Sequence, residues 1–199
     1  MLCARPLVAE LPLFLLNTVL FPGGRLTVRV FEKRYFDMVT ACLKSDRPFG
    51  VCLIKHGAEV GVAAEPQEVG ALAHIVQCDL EQPGILQVVA RGGGRFRVRG
   101  TTRQKDQLVL AEIEPLAELS GAMPARHARL VEALRHVLEQ AGDTSYFPPP
   151  QWQDAAWVSG RLVELLPLPL GLKQALLELD DIGMRLDVLA EFFPPPVEE

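Results

Sequence analysis

The spacing of apolar residues changes once along this chain, near Met123, and that change limits the fold more than any single motif does. Up to about Leu119 the apolar residues come in short runs broken by glycine, proline and turn formers. This is the pattern of a strand-built barrel or sandwich. The expected strands are Leu11 to Leu16, Arg25 to Val30, Phe49 to Ile54, Val69 to Val76, Ile85 to Ala90, Arg95 to Arg99 and Leu108 to Ile113. One helix is expected among them between Glu32 and Lys44, because Tyr35, Val39, Cys42 and Leu43 recur at three- and four-residue spacing. After Met123 the helical spacing takes over. Leu130, Leu134, Val137, Leu138 and Ala141 share one face of a helix that Pro124 can open as its first residue. Ala155, Val158, Leu162 and Leu166 mark a second helix, which stops at Leu166-Pro167-Leu168-Pro169. Leu172, Leu176 and Leu179 mark a third; Ile182, Leu186, Leu189 and Phe193 mark a fourth, capped by Asp180 or Asp181. The expected organisation is therefore α+β, with a strand subdomain over 8–119, a helical subdomain over 123–193 and a flexible tail over 194–199.

A chain of 199 residues buries enough surface to do without a metal or disulfide staple. Its net charge of −5 disfavours general polyanion binding, which depends on cations that neutralise phosphates. Cys3, Cys42, Cys52 and Cys78 form no Cys-x-x-Cys pair and sit in apolar stretches, as reduced core cysteines do. The apolar run Leu11 to Phe21 is interrupted by Pro12 and Asn17 and is too short to span a bilayer, so a cytoplasmic protein with no membrane partner is expected.

The marks of common chemistry are missing from the sequence. No glycine-rich loop ends in Gly-Lys, and Gly92-Gly93-Gly94 lacks dinucleotide spacing and is read as a hairpin turn. Ser45, Ser120, Ser145 and Ser159 lie in no nucleophile elbow and no Ser-x-x-Lys pair. His56, His74, His127 and His136 show no metal-ligand spacing, and Asp180-Asp181 reads as a helix cap. Neither catalytic residues nor a cofactor or metal are expected. One charged constellation remains: Arg91, Arg95, Arg97, Arg99 and Arg103, with Phe96 and Val98 between the inner three. Strand alternation sends Arg95, Arg97 and Arg99 to one face and Phe96 and Val98 to the core. Such a row either pairs with carboxylates such as Glu112 and Glu114 or contacts an acidic partner or RNA, since the guanidinium fork suits carboxylate and phosphate.

The ordered motifs Leu11-Pro12-Leu13-Phe14, Val19-Leu20-Phe21-Pro22-Gly23, Val30-Phe31-Glu32-Lys33-Arg34-Tyr35, Phe49-Gly50-Val51-Cys52-Leu53-Ile54, Val69-Gly70-Ala71-Leu72-Ala73 and Gly94-Arg95-Phe96-Arg97-Val98 resemble those of the Lon protease N-terminal, or substrate-binding, domain family. The closing helices around Lys173 to Glu178 and Arg185 to Leu189 are similar too, so the resemblance covers about residues 9 to 193. It implies a PUA-like β-barrel with one embedded helix followed by a C-terminal helical subdomain. It also implies a non-catalytic module, because the family's ATPase and Ser-Lys peptidase lie in other domains. Its expected partners are unfolded or apolar protein segments, or a separate protease, with an RNA-binding module on the Arg91 to Arg103 strand as the alternative. The expected binding place is the cleft between the two subdomains. Arg95, Arg97 and Arg99, with Tyr146, Phe147 and Trp152 around the proline connector, are the candidate binding residues.

Overall fold

Among the described residues the strand-patterned half forms seven strands and one helix. The computed structural model describes residues 10–61, 64–141, 147 and 149–193. Its strands are β1 (Glu10–Leu16), β2 (Arg25–Val30), β3 (Phe49–His56), β4 (Glu65–Pro66), β5 (Val69–Gln82), β6 (Ile85–Arg103) and β7 (Val109–Pro115), and helix α1 (Lys33–Ser45) lies between β2 and β3. Pairing runs β1, β7, β6, β5, β3 and returns to β1, so the hydrogen bonds close a circuit; β2 adds to β6 and β4 to β3. Every pairing is antiparallel except β1 with β3. The fold is thus mixed, a mostly antiparallel sheet followed by helices.

β1 is apolar at nearly every position because both of its faces are covered. Leu11, Leu13 and Leu15 pack with Cys52, Phe96, Val109 and Ala111, whereas Phe14 and Leu16 pack with Tyr35, Met38, Val39 and Phe49. Burial on two faces replaces alternation with a continuous hydrophobic run. That is the physical origin of the apolar N-terminal stretch. α1 adds Tyr35, Met38, Val39 and Cys42 to the second layer as one buried stripe. Glu32, at its N-terminus, gives no side-chain cap; its carboxylate instead pairs with the Arg34 guanidinium at 3.0 Å.

Two expected strands are one. β6 runs unbroken from Ile85 to Arg103, and the β5–β6 reversal is made by Pro83-Gly84, where Gly84 takes a φ of +83°. Gly92-Gly93-Gly94 is therefore no hairpin turn but the middle of a strand. Glycine in a strand interior marks a bulge or a close backbone approach, and both occur here.

The helical half contains a 3-10 turn (Ala125–His127) and helices α2 (Ala128–Ala141), α3 (Ala155–Leu165), α4 (Leu170–Glu178) and α5 (Ile182–Ala190). Pro124 does not open the helix directly; it is extended, at φ −67° and ψ 142°, and the 3-10 turn intervenes. Asp154 caps α3 by accepting from Ala156 N–H, and Asp181 caps α5 by accepting from Met184 N–H. α3 ends at Leu165, with Leu166 extended ahead of Pro167. A third core joins the halves: Val19, Phe21, Leu53 and Val69 from the strand side meet Leu130, Leu134, Val158, Leu162, Leu176 and Leu186.

Cys42, Cys52 and Cys78 are free thiols, and burial pushes Cys52 up to about 12. Cys3, Tyr146, Pro148 and the 194–199 tail lie outside the described residues. Among the described residues no helix is long and apolar enough to cross a membrane.

Candidate functional site

The joint between the halves is built on Phe21-Pro22-Gly23-Gly24. Pro22 fixes its own φ, Gly23 takes a φ of +74°, and Gly24 N–H closes the turn on Phe21 C=O at 2.9 Å. The turn then fastens to both halves. Gly23 N–H donates to Gly92 C=O at 2.8 Å, and Gly92 N–H to Gly24 C=O at 2.9 Å. A Cβ at position 92 would stand 2.0 Å from the Phe21 carbonyl oxygen, so this contact requires glycine. On the other side Phe21 N–H donates to the Glu164 carboxylate at 2.8 Å, and Arg161 Nη2 donates to Pro22 C=O at 3.2 Å. Arg161 is fully buried and pairs with Glu164 at 2.7 Å; desolvation lowers the guanidinium's pKa and raises the carboxyl's, and each charge opposes the shift of the other. Lys173 Nζ donates to Glu164 C=O at 2.8 Å.

Beside this joint the hydrogen-bond ladder of β6 is interrupted. β5 follows one edge of β6 from Ile85 to Arg97; β2 covers the opposite edge from Leu86 to Arg91, and β7 covers that edge from Phe96 onward. Gly92 is taken by the turn, and Arg95 C=O accepts from Leu116 N–H at 2.9 Å. Gly93 and Gly94 fill the interval. Together they oppose Leu72 of β5 as a bulge, and neither β2 nor β7 pairs with them.

A cleft of about 300 Å³ opens over this interval. Gly92, Gly93 and Gly94 form its strand floor; Pro22 and Gly23 of the turn, Glu118 and Leu119 after β7, and Gln151, Asp154, Ala156 and Trp157 from the helical half add to the lining. A Cβ at position 94 would find only Glu118 Oε1, 4.0 Å away, so this part of the floor is backbone facing open space.

The cations lining the cleft are already engaged. Arg95 is 4% exposed and donates to Leu177, Leu179 and Ala117 C=O at 2.8, 2.9 and 3.1 Å, besides pairing with Asp180 at 3.0 Å. Arg185 donates from Nε to Leu176 C=O at 2.9 Å and lies over the Phe21 ring; burial, with Arg95 nearby, brings its guanidinium down to about 10. Glu118 is exposed and makes no ion pair among the described residues.

The arginine row expected on one face is divided by the helical layer. Arg95 lies beneath the segment Leu177 to Asp180, Arg97 is half-buried and 3.9 Å from Glu68, and Arg99 pairs with Glu114 in the open. Arg103 lies along a separate polar groove. Phe147 stands between the guanidiniums of Arg25 and Arg91, at 5.0 and 4.6 Å from its ring centre. Trp152 meets Trp157 edge-on at 5.6 Å and carries the Arg135 guanidinium on its face at 4.1 Å. Of the candidate residues that the structure describes, only Arg95 lines the junction cleft. Trp157 and Glu118 carry no mark in the sequence, whereas the glycine floor does, as three glycines inside an otherwise strand-like stretch.

These features define a class: a strand module roofed by helices, with a cleft at the joint whose charged groups hold main chain together. Residues 10–193 match the family described as ATP-dependent protease La (LON) substrate-binding domain, and the chain belongs to that family. Among solved structures it is similar to a Lon N-terminal domain protein from Xanthomonas campestris, with 34% identity, a TM-score of 0.77, and coverage of 94% of this chain and 100% of that one. It shares its fold with the N-terminal domain of the Mycobacterium avium complex Lon protease, at 16% identity, a TM-score of 0.63, and coverage of 92% of this chain and 97% of that one. No curated protein matches the sequence.

Proposed function

We propose that this protein is a non-catalytic binding module for unfolded or partly apolar protein segments, held in the cleft between its strand and helical subdomains and linked to Lon-type proteolysis or quality control in the cytoplasm. The observation that carries this reading is the junction cleft in a chain matched to the substrate-binding family along residues 10–193. The closed strand circuit supports describing the first subdomain as a PUA-like barrel, and the third core supports a helical second subdomain docked on it. An RNA-binding role for β6 has less support: Arg95 is occupied by carbonyls, and Arg97 and Arg99 face carboxylates, which leaves chiefly Arg91 beside Phe147.

The test is fluorescence anisotropy with labelled, reduced and carboxymethylated lactalbumin, a permanently unfolded chain. The protein is expected to bind this probe but not native lactalbumin, and to ignore a labelled RNA oligonucleotide at physiological salt. Failure to bind the unfolded probe, under conditions where the mycobacterial Lon N-terminal domain does bind it, overturns the proposal.

A further inference from the structure

Resting on that proposed function, we infer that the cleft reads its ligand through main-chain hydrogen bonds to Gly93 and Gly94, taking an extended polypeptide segment that carries a basic side chain. Three observations combine. First, β2 and β7 cover the same edge of β6 on either side of these glycines, and neither pairs with Gly93 or Gly94. Backbone N–H and C=O groups at an uncovered strand edge are a template for another extended chain. Second, the floor has no side chains. Glycine is imposed at 92 by the Phe21 carbonyl, and at 93 a Cβ would stand 2.9 Å from His74 Nε2, but position 94 has room for one and a negative φ that any residue adopts. The fold itself therefore does not demand glycine at 94; what its absence of a side chain preserves is access to the backbone.

The third observation is the charge left over. Arg95 and Arg185 donate to four carbonyls of the chain's own α4 region and linker, Leu176, Leu177, Leu179 and Ala117. The rim contributes the Glu118 carboxylate, exposed and without an ion-pair partner among the described residues, and Asp154, whose carboxylate caps α3. The net charge offered to a ligand is negative. Leu119 and Trp157 supply apolar surface beside it. An extended segment with alternating apolar and basic residues matches the backbone edge, the apolar wall and the carboxylate together, whereas an acidic segment meets like charge.

The experiment uses the full chain and a short fluorescein-labelled peptide alternating leucine and lysine. Gly94→Val is expected to weaken binding of this peptide at least about tenfold, the loss of roughly one well-made hydrogen-bonded contact, while Tm is unchanged. On wild-type protein, a copy of the peptide N-methylated at its central residues is expected to bind similarly weakly, and a copy with glutamate for lysine weaker still than the parent. Equal affinity of the N-methylated and parent peptides overturns main-chain reading even if Gly94→Val fails to fold. Equal affinity of the lysine and glutamate peptides overturns the basic preference. Should the unfolded lactalbumin probe bind wild type and Gly94→Val alike, the site assignment fails while the proposed function stands; should it bind neither, both fail.

Discussion

The strand layers and the strand–helix joint are both buried, yet different physics holds them. Around β1 and β3 the interior is hydrocarbon: Leu13, Val51, Phe49 and Phe96 are at most 2% exposed and make no polar demand. At the joint the fully buried side chains include Arg161 and Arg185, which reach carbonyls, a carboxylate and the Phe21 ring. Apolar packing tolerates changes that conserve volume, whereas a buried ion pair tolerates the loss of both partners better than the loss of one. The joint is therefore more specific in orientation and more sensitive to single changes.

Arg161→Ala tests that contrast most severely. It is expected to cost about 3–5 kcal/mol in urea unfolding, because the Glu164 carboxylate stays buried without its guanidinium. Combining Arg161→Met with Glu164→Leu should recover most of this loss. A cost for the single change below about 1 kcal/mol would mean that solvent already reaches the pair and that the comparison is false. In the strand layers Leu13→Ala is expected to cost about 2–5 kcal/mol, with no rescue by any charged partner.

Within the glycine run the contrast narrows to neighbouring residues. Gly92→Ala forces a Cβ against the Phe21 carbonyl and is expected to cost about 1–3 kcal/mol, read as a lower urea midpoint. Gly94→Ala points into open space and should stay within about 0.5 kcal/mol of wild type. If the two lose stability equally, position 94 is a packing glycine and not a bare floor. Arg99→Ala, outside the joint, is expected to have a small effect as well. Its exposed pair with Glu114 contributes at most about 1 kcal/mol, and high salt should erase the difference.

Much of the architecture was legible because local rules and the global fold agree. The apolar stripe of α1, the Asp181 cap, the proline stop after α3 and the Phe21-Pro22-Gly23 turn each follow from nearby residues. The pairing of Glu32 with Arg34, two residues apart at the start of α1, is equally local. The glycine run was misread because a turn and a mid-strand bulge share the same composition. Only the partner across the gap, the Phe21 carbonyl, distinguishes them. Arg95 was placed on an outer face because alternation states which side of a strand a residue takes, and says nothing of what lies over that side.

What the sequence determined by itself was the switch from strands to helices, the caps and breaks of the elements, and the family, since all of these are written in spacing and short ordered motifs. The tertiary structure alone decided that β2 and β7 stop short of each other along β6, and that the segment from α4 to α5 covers Arg95, whose guanidinium is spent on its carbonyls. Those outcomes depend on residues up to 85 positions apart meeting, as Arg95 and Asp180 do, and no local pattern encodes which face of a strand a distant helix will cover.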